Sequence, residues 1–212
     1  MSNKYINDFG VLENKLGVNN AELLRAIEYS TTQSKQVEIL NGKSGINFES
    51  FGHETLKAIH KYQFDGIYEW AGKQRTIPLA KETHKKGIFS VFENPENIVE
   101  KWDALEEKTA QFAHSKDLSF EQKRELLVDI FIEANHIHPF PEGNGRTLQT
   151  FMTLLAAKQD VVLDYAMVSP FYWNRASAFS GIYGEREIRD DENHLKRLPP
   201  DDGPIREIFA RM

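Results

Sequence analysis

Within a dozen positions the chain sets His136, His138, Glu142, Gly143, Asn144, Gly145 and Arg146, and it closes the run on Gln149. The stretch interrupts an apolar helical pattern, and Gly143-Asn144-Gly145 comes directly before a second one. Successive backbone N–H groups in such a turn form an anion-binding nest, and the helix N-terminus adds its positive dipole end. Arg146 supplies a guanidinium that forks onto phosphate oxygens. A cation in the first turn opposes the dipole unless an anion faces it. Glu142 would repel a polyphosphate unless Mg²⁺ lies between them, since Mg²⁺ takes one or two carboxylates together with phosphate oxygens. His138 titrates near neutrality and can accept a proton from an attacking hydroxyl. Each feature alone has a plainer reading: a histidine before proline caps a helix, and Gly-Asn-Gly makes a turn. Their co-occurrence in this order points to a site that moves a phosphate-bearing group.

The 212 residues suit one large domain, or a core domain with small additions, that buries its apolar surface without disulfides. With no cysteine there is no thiolate nucleophile and no cysteine-ligated zinc. His136 and His138, two positions apart, diverge on a helix and do not make a zinc pair. A formal net charge of −6 disfavours a broad nucleic-acid binder. No apolar run reaches membrane-spanning length, and Met1-Ser2-Asn3-Lys4 lacks the apolar segment of a secretory signal. The expectation is a soluble, cytoplasmic protein, with secretion into a host cell left open.

Periodicity supplies the elements that must position the site. A helix over 20–40 has Asn20 as its cap and Leu23, Leu24, Ile27 and Thr31 on one face. A second runs from Phe48 toward Trp70 and puts His60 on its polar, solvated side. Arg75–Leu79 and Ile88–Phe92 are β-prone runs with a polar tip between them, a hairpin with Pro78 marking an edge. His84 with Lys81, Lys85 and Lys86 makes that tip basic, most simply as a solvated turn. A helix follows Asn94-Pro95. Another starts at Ser119, where Gln122 gives capping-box spacing, and its crowded apolar faces make it central. Thr147–Lys158 and the segment after Ser169-Pro170 continue the helical pattern, with Trp173 as a core residue. The charged run 186–200 reads as a surface loop. The predicted organisation is an N-terminal helical extension, residues 1–45, packed on a core of 46–212. The flap occupies 75–92.

The run from His138 to Arg146 resembles the signature of the Fic (filamentation induced by cAMP) family, His-x-Phe-x-(Asp/Glu)-Gly-Asn-Gly-Arg-x-x-Arg. Asn135, the stretch from Ile59 to Arg75 and the ending Asp202–Phe209 resemble the family as well. The resemblance implies an all-α, mainly helical fold with a small β-hairpin flap. It implies an AMP transferase that moves AMP from ATP to a Ser, Thr or Tyr hydroxyl of a target protein. By position, His138 is then the base, Phe140 the loop anchor and Glu142 the Mg²⁺ ligand. Gly143, Asn144 and Gly145 bind phosphates, with Asn144 at the α-phosphate, and Arg146 contacts the β-phosphate side. The flap residues Ile77, Leu79, Ile88 and Phe89 clamp the target segment as an added strand.

Gln149 departs from the pattern, because a second arginine usually stands there as a γ-phosphate clamp and as the partner of an inhibitory glutamate. Losing one charge-assisted contact costs about 1.5–3 kcal/mol. Another nucleotide or phosphate-containing donor, or a catalytically weak binding module, is therefore the alternative reading. Ser34–Glu38 and Ser50–Glu54 have part of the spacing of an inhibitory helix. The expected arrangement is no inhibitory helix in the chain, with a separate small antitoxin-like protein supplying that glutamate. The target, the donor preference and the oligomeric state are not written in the sequence.

Overall fold

A computed structural model describes residues 4–186 and 195–212. In chain order the helices are α1 (Ala21–Leu40), α2 (His53–Phe64), α3 (Ile98–His114), α4 (Phe120–Ile137), α5 (Asn144–Ala157), α6 (Pro170–Ser180) and α7 (Gly203–Phe209). The strands β1 (Ala80–Glu82), β2 (Ile88–Val91), β3 (Tyr183–Arg186) and β4 (Leu195–Leu198) form one antiparallel sheet in the order β1-β2-β3-β4. The fold is mainly helical, as the periodicity predicts.

Helix α4 is the axis of the core. Ser119 Oγ accepts from the Gln122 N–H while Gln122 Oε1 accepts from the Ser119 N–H, so the capping box is complete. Leu127, Val128, Ile130, Phe131, Ala134 and Ile137 are buried against α3, α5, α6 and α7. Full burial of each large apolar side chain stabilises by about 1.5–3 kcal/mol. The helix ends where His138 takes left-handed φ 48° and turns the chain into the motif loop. Phe140, fully buried, then fixes that loop to the core.

Helix α1 is rotated relative to the face expected for it. Asn20 Oδ1 does cap it, accepting from Leu23 N at 2.9 Å. The buried positions, however, are Leu24, Glu28, Thr32 and Ile39, and Leu23 is 53% exposed. An acidic side chain lies on the inward face because its partners, Tyr68 and Arg146, are inside. Helix α2 is shorter than expected: it stops at Phe64, and turns follow over 65–72, in which Tyr68 and Trp70 stack at 4.1 Å.

The flap differs most. The first strand begins at Ala80, whereas a strand at Arg75–Leu79 was the expectation. Arg75 is fully buried, and its guanidinium donates to the carbonyls of Ile77 (2.9 Å), Glu93, Ile137 (3.3 Å) and His138 (2.8 Å). The Arg75 N–H also donates to the Pro139 carbonyl at 2.7 Å. The segment before β1 is thus a tie between flap and motif loop. Nor is the flap a lone hairpin. β2 pairs with β3, and β4 lies within the 186–200 run that was expected to be a charged surface loop. Lys196 there lies opposite Glu185 of β3, so unlike charges face each other across the ladder. Residues 187–194 of that run lie outside the described residues.

Candidate active site

Gly143 opens α5 with φ 81°, and a Cβ there would meet the Phe64 ring at 2.3 Å. Both the left-handed backbone and the close approach demand glycine. The first N–H groups of α5 have no intrahelical partner and form the anion-facing end of the turn. Two interactions hold the turn from behind. Asn144 receives the Phe140 N–H on Oδ1 (2.9 Å) and donates Nδ2 to the Phe140 carbonyl (2.7 Å), so its side chain braces the loop. His60, expected to be solvated, is fully buried and stacks on Phe140 at 3.8 Å. Its Nδ1 accepts from the Gly72 N–H (2.8 Å), and Nε2 donates to the Glu142 carbonyl (3.0 Å). Burial lowers its pKa to about 3, so it is a neutral structural linker.

His138 is 7% exposed, and the Phe92 ring stacks on it at 3.6 Å. Its Nδ1 lies 3.2 Å from the Asn135 carbonyl, which can only accept, so that nitrogen carries the proton. Asn135 is itself held by donation to the Ser177 carbonyl at 2.8 Å. Nε2 is therefore the basic nitrogen, buried and without a hydrogen-bond partner. Burial first, then the nearby Lys81 ammonium, pushes the imidazole well below the usual histidine range. It is neutral at pH 7 and can accept a proton.

The Glu142 carboxylate meets Lys81 Nζ at 2.9 Å, the Gly143 N–H at 2.9 Å and Arg146 Nη2 at 3.6 Å. Burial alone would raise its pKa, but Lys81, the Gly143 N–H and Arg146 outweigh burial and bring it to about 2. Arg146 Nη2 also pairs with Glu28 at 3.0 Å, and its plane lies over Tyr29 (4.8 Å) and Phe64 (4.9 Å). Glu28 accepts from the Tyr68 hydroxyl as well. Behind Arg146, a chain from Thr147 to Gln63 to Thr150 locks α5 onto α2.

A cavity of about 710 Å³ joins these groups. His138, Glu142, Gly143, Gly145, Arg146 and Gln149 line one part of it, and Tyr165, Trp173 and Asn174 line another. Four of the lining residues carry a buried atom without a partner: His138 Nε2, Arg146 Nη1, Tyr165 Oη and Ser177 Oγ. Two carboxylates line the cavity, Glu82, which accepts from the Gly87 N–H in the flap, and Glu142, beside the nest. One such carboxylate next to the nest fits Mg²⁺ held with phosphate oxygens better than an all-protein cage. Among the described residues no cluster of three or more metal-ligating side chains occurs.

Of the flap residues expected to clamp a target, Ile88 is buried in β2, an interior strand. Phe89 pairs with Glu82 on one side and Gly184 on the other. Ile77 and Leu79 precede β1, and Ile77 packs on the N-terminal cluster around Tyr68. β1 and β4 are the outer strands of the sheet, and β1 is the one whose residues Lys81 and Glu82 line the cavity. Glu38 accepts from Tyr62 and Lys35, and Glu54 pairs with Lys57 on the surface. Neither lines the cavity.

Residues 50–156, just over half of the chain, match the Fic/DOC family profile. The chain belongs to the Fic/DOC family. It is 30% identical over 181 residues to the protein adenylyltransferase VbhT of Bartonella schoenbuchensis, covering 84% of this chain and 35% of that protein. It is 26% identical to a probable protein adenylyltransferase Fic of Salmonella typhimurium, covering 82% of each. This Fic chain thus spans about a third of the length of VbhT. Among solved structures, BepC of Bartonella tribocorum with bound AMPPNP superposes with TM-score 0.77 at 21% identity, over 98% of this chain and 94% of that one. That likeness establishes the Fic fold. No helix among the described residues is long and apolar enough to cross a membrane.

The buried histidines carry a pH prediction. Both His60 and His138 have folded pKa values below the unfolded value of about 6.5. The unfolded chain therefore binds protons that the folded one does not, and stability present above about pH 6.5 is lost as the pH falls. From about pH 7 to about pH 5.5 the pair should cost roughly 2–3 kcal/mol of unfolding free energy. Denaturant titration should measure that loss, and His60→Gln should remove roughly half of it. A flat stability between these pH values would contradict the neutral, buried assignment.

Proposed function

We propose that the chain is a protein AMP transferase acting on a Ser, Thr or Tyr hydroxyl with ATP as donor. One observation carries the reading. The unpartnered Nε2 of a neutral histidine shares a cavity with a helix-terminal nest, the Glu142 carboxylate and the half-buried Arg146 guanidinium. The VbhT and Salmonella relatives bear the same activity in their names.

The target segment adds to the open edge of β1 and brings its hydroxyl to His138. The hydroxyl oxygen attacks the α-phosphorus, and its proton passes to His138 Nε2. The bond from the α-phosphorus to the bridging oxygen breaks, and pyrophosphate leaves. Asn135 holds the imidazole in the tautomer that can take the proton, and the α5 N–H groups with Arg146 face the charge that develops on phosphate. Glu142 would hold Mg²⁺, which supplies neutralising charge between carboxylate and phosphates. Asn144 acts through the shape of the turn, because its side chain is engaged with Phe140. A separate antitoxin-like chain is the proposed source of inhibition, since Glu38 and Glu54 lie away from the cavity.

Gln149 favours a second reading on the same scaffold, a different nucleotide donor, because it brings no charge to the cavity. Lysate protein incubated with α-labelled ATP should take up label. Label from UTP, GTP or CDP-choline but not from ATP would select the second reading. Gln149→Arg should tighten ATP by about tenfold, the value of one charged hydrogen bond. Equal affinity in parent and variant would show that the position does not meet the polyphosphate.

A further inference from the structure

Lys81 is the flap residue that reaches the motif loop. Its ammonium lies 2.9 Å from Glu142 Oε2, while Arg146 approaches the other carboxylate oxygen at 3.6 Å. It lines the same cavity as His138, Gly145, Arg146 and Gln149. The strand beneath it is well anchored. Lys81 pairs across the ladder with Ser90, whose Oγ donates to the Ala178 carbonyl of α6 at 2.9 Å. The side chain is 40% exposed, so the ammonium can swing while its backbone stays fixed.

Lys81, Arg146 and Arg175 line the cavity, and of these only Lys81 and Arg146 reach Glu142 in the motif loop. A triphosphate tail carries several negative charges. Arg146 already shares one guanidinium nitrogen with Glu28. Gln149, on the next turn of α5, brings none. We propose that Lys81 is the second phosphate-binding cation of this site. Its ammonium exchanges Glu142 for a non-bridging oxygen of the donor beyond the α-phosphate, and supplies from the flap the charge that position 149 lacks. The assignment rests on the nucleoside triphosphate reading given above. It also makes Lys81 a determinant of donor choice, favouring donors with more than one phosphate. A lysine suits the task because its compact charge sits on a flexible stem and keeps no fixed fork.

Equilibrium binding of ATP and of AMP, each with Mg²⁺ and again in EDTA, tests this on the whole chain. The variants are Lys81→Met, Gln149→Arg and the double substitution. Lys81→Met should weaken ATP by about tenfold and leave AMP within about twofold. Gln149→Arg placed in the Lys81→Met background should restore most of the lost ATP affinity, because it returns a cation to the same cavity. Thermal unfolding of each variant checks that the fold is kept. Unchanged ATP affinity in Lys81→Met would overturn the proposal. So would an equal loss for ATP and AMP that Gln149→Arg does not recover, because Lys81 would then only brace the flap. Absence of ATP binding by the parent chain is a different result: it removes the donor reading itself, and this assignment with it.

Discussion

His138→Ala should cut transfer of label from α-labelled ATP by about 10²–10⁴-fold while ATP still binds. In the proposed reaction the imidazole accepts the proton, while the turn, Arg146 and Glu142 hold the donor, so the two functions separate. Alanine at φ 48° carries some backbone strain of its own. His138→Asn is the companion variant, because asparagine tolerates the left-handed region and offers no comparable base. Both should lose transfer and both should keep nucleotide affinity. Residual labelling of either variant at the parental rate would remove His138 from the reaction.

Arg75→Leu should destabilise the chain by at least about 3 kcal/mol. The substitution strands four carbonyls, those of Ile77, Glu93, Ile137 and His138, in a place the guanidinium now fills completely. Each unsatisfied buried acceptor costs about 1–3 kcal/mol, tempered by whatever water can enter. Arg75→Lys should recover only part, because three ammonium donors cannot reproduce a planar fork to several carbonyls. Denaturant titration should rank the parent chain first, Arg75→Lys second and Arg75→Leu last. A loss under about 1 kcal/mol for the leucine substitution would mean that the carbonyls find other partners and that the tie is dispensable.

What the sequence made legible was local. The capping box at Ser119 and Gln122 is closed within four residues, and the motif loop carries its histidine, acid, glycines and arginine in one run. The helical class followed from apolar spacing. The positions that were misread depend on partners far along the chain. His60 is buried by a contact with Glu142, 82 residues away, and Arg75 with His138 lies 63 residues apart. Glu28 and Arg146 are separated by 118 residues. A polar residue looks solvated until the group that satisfies it is in place, so periodicity assigns it to the wrong face. The strand that begins at Ala80 was displaced for the same reason, since Arg75 follows its carbonyl partners in preference to its own β-propensity. The pairing of β2 with β3 had no local signal, as β3 and β4 come from the other end of the chain.

The outer strand on the cavity side of that sheet, β1, is only three residues long, Ala80–Glu82. If the target docks there as proposed, it would be gripped by only a few main-chain bonds, each of net worth about 1 kcal/mol. Its dwell time would then be brief. Selection would fall on how well a hydroxyl presents itself during that visit, more than on any extended consensus around it. Such a catalyst would let go of each product readily and work through a crowd of molecules in turn.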